Sequence, residues 1–166
     1  MGMFESIQKL FKNRNYMYLF LAFNFLYGLQ SAIAGVISSF TELYHYKSSD
    51  ISIICMVFML AGIFNSFFIG VLLDKYQCYK KAHMFVCIGS VVTLSLSAVG
   101  LPTGNTLVEA AIMMLTGVAI IPNTPISFSL AAEVSHPVPE SYSIGIMLCS
   151  AQLFGFILGL GLSAIC

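Results

Sequence analysis

Charge is what this sequence lacks most. Only 8% of its 166 residues are Asp, Glu, Lys or Arg, where soluble domains carry about 25%. Apolar residues make up 58%, and the mean hydropathy is +0.91. A water-soluble domain of this length has too little interior to hide so much apolar surface. The composition therefore excludes one and reads as an integral membrane protein. Seven basic residues balance seven acidic ones without forming a basic run, which argues against a nucleic-acid partner. The five cysteines (55, 78, 87, 149, 166) make no CxxC pair and no Cys/His spacing for zinc. They read as small apolar fillers, and the three histidines (45, 83, 136) do not pair with one another at metal-ligand spacing. No metal or cofactor is expected. Neither a nucleophile–base pair nor a phosphate loop is present; Ser135 and His136 are merely neighbours in a loop, so an enzyme is not expected. A cleavable signal peptide is not expected either, because the first apolar run is too long for one and no small-residue cleavage site follows it.

What the chain has instead is five long apolar runs, at about 16–40, 51–73, 82–101, 107–132 and 143–165. Each has the ~20 residues a helix needs to cross the hydrocarbon core. Helices are required there, since backbone groups facing lipid must be satisfied within their own segment. The expected fold is all-α, with five transmembrane helices. Residues 1–15 form an amphipathic lead-in and residues 16–166 the membrane domain. The lead-in, with Phe4, Ile7 and Phe11 among Lys9, Lys12 and Arg14, reads either as a surface helix or as an anchor for the next one.

Basic residues set the orientation. Lys9, Lys12 and Arg14 precede the first run, and Lys75, Lys80 and Lys81 lie between the second and third. Alternating spans put these six on one side and leave Lys47 on the other. The N-terminus and the 74–81 loop are thus expected on the cytoplasmic side, or on the matrix side of a mitochondrial inner membrane. Composition does not separate the plasma membrane from an organelle.

Each run carries a stripe of small or polar residues at three-four spacing, such as Asn24, Gly28, Ser31, Gly35 and Ser38 in the first. The last shows Gly145, Cys149, Gln152, Gly155 and Gly159. Small residues let membrane helices approach closely, so the stripes read as helix–helix contacts. A second reading has Asn24, Asn123 and Gln152 lining a polar cavity, because amides facing lipid are costly. Pro122 and Pro125 should kink or break the fourth helix, each removing a backbone donor. Glu133, near that helix's end, is expected to be the acid most nearly buried.

The segment from Gly70 through Asp74 and Lys75 to Lys80 and Lys81 resembles the signature loop of the major facilitator superfamily. Gln77 stands where that motif usually has a second glycine. Gly70 is expected to permit close helix contact and Asp74 to face a helix N-terminus, where negative charge is favoured by ~0.3–1 kcal/mol. The stretch PISFSLAAEVSHPVPE with Ser143-Ile-Gly145 and Ser150-Ala-Gln152-Leu-Phe-Gly155 resembles the tenth and eleventh helices of the feline leukaemia virus subgroup C receptor-related carriers. FESIQKLFKNRNY and the AGIF, GVLLDK and YK segments resemble their seventh and eighth. The match runs in order over nearly the whole chain.

That resemblance implies the C-terminal half of a twelve-helix facilitator for a small organic solute such as choline, ethanolamine, haem or pyridoxine. It implies a solute contact at Gln152, and if transport occurs the cavity reading adds Asn24 and Asn123 as solute contacts. It places Glu133 and Pro137 in a motif ending the tenth helix, where Glu133 would gate or relay with Pro122 and Pro125. Asp74, Gly70 and Lys75 would lock the loop. This chain departs from the family in having Ser129 where a second acid is usual, and Ala32 near the place of a cavity aromatic, with Tyr27 the nearest aromatic. The first half and the last helix have no counterpart here. Besides the lipid bilayer, the expected partners are a complementary half-carrier, a second copy or other membrane subunits. The alternative function is that of a non-transporting, carrier-derived structural subunit in a larger membrane complex.

Overall fold

The computed structural model describes residues 3–43, 46–76 and 78–164, and their side chains except those of 3, 36–43 and 74. Among the described residues seven helices follow one another: α1 Met3–Lys12, α2 Arg14–Leu43, α3 Ser48–Tyr76, α4 Tyr79–Gly100, α5 Thr106–Ile120, α6 Asn123–Ser135 and α7 Glu140–Ser163, with a 3-10 turn at Leu101–Thr103. Five segments are long and apolar enough to cross a membrane: Arg14–Gly35, Ser48–Leu73, Tyr79–Thr103, Thr106–Ser135 and Glu140–Ser163. The chain is a multi-pass integral membrane protein. Its apolar side chains cover the outside as well as the seams; Phe64, Phe67 and Phe68 of α3 and Phe85 of α4 are all exposed, as lipid contact requires.

Short polar devices set the helix boundaries. Asn13 separates α1 from α2, and its Oδ1 accepts from the backbone N–H groups of Asn15 (3.1 Å) and Tyr16 (3.4 Å), which α2 cannot satisfy itself. Its Nδ2 donates to Val134 O at 2.9 Å, tying the start of α2 to the end of α6. Gly104 lies at φ 64°, a conformation that favours glycine, and so turns the chain out of the 3-10 segment. Asn105 then caps α5 by accepting from Leu107 N. Pro137 ends α6 by forcing the preceding His136 into an extended conformation, ψ 132°.

Pro122 and Pro125 break the fourth span into α5 and α6, as their missing donors demand. The reason is specific. In a continuous helix residue 122 would donate to Val118 O, and proline has no N–H to give. Asn65 of α3 fills the gap, its Nδ2 donating to Val118 O at 2.8 Å. Thr124 N donates instead to Ile121 O at 3.4 Å, which tightens the turn and lets Asn123 restart the helix.

α2 packs chiefly on α7, and α3 on α5; α4 lies against α5 and α6. At the end carrying Lys9, Lys12, Arg14, Lys75, Lys80 and Lys81, a core of Leu10, Tyr16, Phe23, Leu130, Val138 and Met147 joins α1, α2, α6 and α7. Leu10 thereby anchors α1, while Phe4 remains 84% exposed. Tyr16 Oη donates to Ser143 O at 2.8 Å within that core. At the far end Tyr46, Ile51, Ile54 and Met113 form a second cluster. The connector between α3 and α4 is shorter than the 74–81 loop expected, because Lys80 and Lys81 already belong to the first turn of α4.

Candidate functional site

The α2–α7 seam is built on glycine. A Cβ at Gly155 would stand 2.9 Å from Gly28 O, and one at Gly28 3.2 Å from Gly155 N. Both are tighter than ordinary side-chain contact, so glycine at both positions lets the backbones meet. Beside this contact the seam opens into a shallow groove of about 350 Å³, lined by Ser31, Ala32, Gly35, Gln152, Phe156 and Ser163 among others. Among the described residues no charged side chain lines it.

Gln152 is the polar centre of the groove. It projects from α7 and bridges to α2, its Nε2 donating to Tyr27 Oη at 3.2 Å and its Oε1 accepting from Ser31 Oγ at 3.4 Å. Tyr27 is held by Phe23, stacked with ring centroids 5.2 Å apart, so its hydroxyl is aimed by a buried ring. The side chain of Gln152 is exposed on its outer side. The arrangement offers an amide oxygen, a phenol and a serine hydroxyl around a floor of small residues, with the exposed ring of Phe156 at the edge. Such a site can meet a small polar or cationic group with dipoles and a π face, without a counter-ion.

The other sequence-selected residues lie elsewhere. Asn24 is buried, and its Nδ2 turns back to Phe20 O at 2.7 Å. Asn123 is buried between α6 and α4. Its Oδ1 accepts from Ser127 Oγ at 3.2 Å, and that hydroxyl lies 3.5 Å from Nδ1 of the buried His83. Neither asparagine lines the groove. Pro122 is buried and Pro125 exposed, one on each side of the restart of α6.

Glu133 is exposed, contrary to expectation; it lies in the last turns of α6, on its outer face. The buried acid is Glu109, in the first turns of α5, with no exposed surface. Gly70 also differs from its expected role. Among the described residues nothing lies within 4 Å of where its Cβ would stand, because the close α3 contact falls two turns earlier. There a Cβ on Gly62 would stand 2.7 Å from Gly117 O, and one on Gly117 would run into the backbone of Phe58. Lys75 is exposed, its Nζ 5.7 Å from the ring centroid of Tyr76. The side chain of Asp74 lies outside the described residues. Among the described residues no group of three His, Cys, Asp or Glu side chains could hold a metal.

Asn65 and Glu109 are the polar residues that sequence reasoning passed over. The signal for Asn65 was present in Pro122, whose missing N–H frees a carbonyl that some neighbour must satisfy. An acid such as Glu109 in a helix's first turn is ordinary on an isolated helix. Only the packing of α4 and the 3-10 turn over it shows that it is buried.

Comparison with known proteins gives this geometry a family. The chain is 27% identical to the choline/ethanolamine transporter FLVCR2 of Homo sapiens over 154 residues, covering 92% of this chain and 29% of that protein. It is 25% identical to the choline/ethanolamine transporter FLVCR1 of Felis catus over 92% of this chain and 28% of that one. It is 24% identical to solute carrier family 49 member A3 of Xenopus tropicalis, over 92% and 32%. The chain thus spans about a third or less of the length of these relatives. The family model of the Major Facilitator Superfamily matches residues 3–160. With five apolar spans and a groove at a glycine seam, the chain belongs to the Major Facilitator Superfamily.

Proposed function

We propose that these helices form one wall of a carrier for a small organic solute bearing an amine or quaternary ammonium group, of the kind named for the choline/ethanolamine transporters it resembles. The observation that supports this most is Gln152 reaching across the α2–α7 seam to Tyr27 and Ser31 over an open groove. An amide oxygen and a phenol oxygen suit the hydroxyl or ammonium of such a solute. Phe156 supplies the aromatic face that Ala32 does not. Facilitators hold solute between two halves near the bilayer midplane, so the opposite wall must come from further helices: a complementary half-carrier, a second copy or other membrane subunits. The basic end is the cytoplasmic or matrix side on the charge rule. There Asp74, Gly70 and Lys75 serve the loop, and Glu133 at the end of α6 serves as a gate or relay contact. Asn24 and Asn123 act through the helix seams they occupy, with Pro122 and Pro125 giving α6 its independent start.

Uptake of labelled choline and ethanolamine into vesicles, with the chain in its native assembly, tests the reading. Gln152→Ala should weaken apparent affinity about tenfold, the loss of one to two hydrogen bonds, with folding intact. Unchanged uptake would remove Gln152 from the pathway. The mass of the assembly extracted gently from its membrane tests the partner. A particle of carrier size supports transport, and a large complex of unrelated subunits opposes it.

A further inference from the structure

We propose that Glu109 is a proton-binding site at the far end of the bundle, and that its charge state controls how the 3-10 turn Leu101–Thr103 seats on α5. Glu109 is completely buried in the first turns of α5. Its Oε1 accepts from Ser97 Oγ at 2.9 Å, while its Oε2 is buried with no hydrogen-bond partner among the described residues. That oxygen lies against Gly100, where a Cβ would stand 2.6 Å from it and would also collide with Ile112. The chain gives up a side chain at 100 to admit the carboxyl group.

Among the described residues the surroundings supply no cation. On α4 the titratable side chains are Tyr79, Lys80, Lys81, His83 and Cys87, all in its other half, and α5 has none besides Glu109. From α3 and the residues before it come Cys55, the half-buried Asp50, the exposed Lys47 and the buried Tyr46. Glu42 and His45, between α2 and α3 in sequence, have side chains outside the described residues. Tyr46 is no proton donor to the acid, because its hydroxyl already donates to Leu101 O at 3.2 Å. Burial first, and any negative charge on Glu109 second, hold that phenol above its ordinary range, so Tyr46 stays a neutral strut between the α2–α3 connection and the 3-10 turn.

A buried carboxylate without a paired cation is costly, whereas the N-terminus of α5 favours negative charge. The two effects oppose each other at one atom, which is the condition for a protonation switch. A metal ion does not fit the same facts. Hard cations take six or more oxygens, while among the described residues the hydrogen-bond partner of this carboxyl is a single serine hydroxyl. A proton needs one oxygen, and Oε2 offers it. When Glu109 loses that proton, the charge against Gly100 is relieved by the 3-10 turn lifting and water reaching the carboxylate. This end of the bundle loosens as pH rises.

The test uses the full chain in lipid nanodiscs and a hydrophobic carbodiimide, which reacts with protonated carboxyl groups in apolar surroundings. Peptide mass spectrometry should find Glu109 modified, with a yield that falls roughly tenfold per pH unit above the midpoint and is indifferent to exchanging K⁺ for Na⁺. No modification at any pH, a pH-independent yield, or protection by Na⁺ would each overturn the assignment. Hydrogen exchange across 100–105, corrected for its intrinsic pH dependence, supplies the structural half. Protection in the wild type should drop over the same pH interval, and Glu109→Gln should remove the step. Persistence of the step in that variant refutes the switch. The labelling arm needs no substitution and stands if the variant does not fold.

Discussion

The two principal seams of this bundle are built from the same materials to different ends. In the α3–α5 seam, Gly62 and Gly117 bring the backbones together, and the polar group beside them, Asn65, spends its donor on Val118 O. In the α2–α7 seam, Gly28 and Gly155 do the same, but Tyr27, Ser31 and Gln152 bond to one another at an open groove. One seam satisfies backbone with a side chain and closes. The other satisfies side chains with side chains and keeps a face free for something else. A polar residue at a membrane seam is thus structural or available according to whether its partner is a fixed carbonyl or another rotatable group.

The largest expected effect lies in the closed seam. Gly117→Ala drives a methyl into the backbone of Phe58, which no rotamer can relieve. Overpacking of this kind costs about 3 kcal/mol, readable as lost thermal stability in detergent or lipid. Gln152→Ala in the open seam should leave stability nearly unchanged while uptake affinity falls about tenfold. A variant that unfolds instead would show the two seams to be alike. Asn65→Ala leaves Val118 O unpartnered and should cost about 1 kcal/mol. In a Pro122→Ala background, where an N–H returns to position 122, that cost should shrink, and a double-mutant cycle reads the coupling. Gly70→Ala, with open space around it, should change stability by less than about 0.5 kcal/mol; a larger loss would mean that α3 has a close neighbour at this point as well.

Much of this was legible in the sequence. Five apolar runs announced the spans, and Pro122 and Pro125 announced the break between α5 and α6. The glycine stripes announced close seams and named Gly28 and Gly155 among their members, though not which glycines of one helix face which of another. Gln152 was legible as a polar residue amid small ones. The partner choices were not. Asn24 and Asn123 looked like cavity amides; Asn24 bonds back to Phe20 O and Asn123 Oδ1 to Ser127, with Asn123 Nδ2 buried and unpartnered among the described residues, and a bond back to a side chain's own helix is invisible to spacing. Glu133 and Glu109 exchanged places for a related reason. Burial of an acid depends on what crosses over it, and only the turn at Leu101–Thr103 and the space at Gly100 show that Glu109 is the covered one.

The bond from Asn65 to Val118 O carries a consequence for how such a chain can vary over time. Its acceptor is main chain, so no side chain of α5 takes part in the bond itself. Two letters act on it directly: 65, which supplies the donor, and 122, whose ring creates the need. A lineage that loses the proline frees the asparagine to drift, and one that loses the asparagine first inherits an orphaned carbonyl in the middle of a membrane. The two positions, fifty-seven residues apart in sequence, are therefore expected to vary together, the proline before the asparagine.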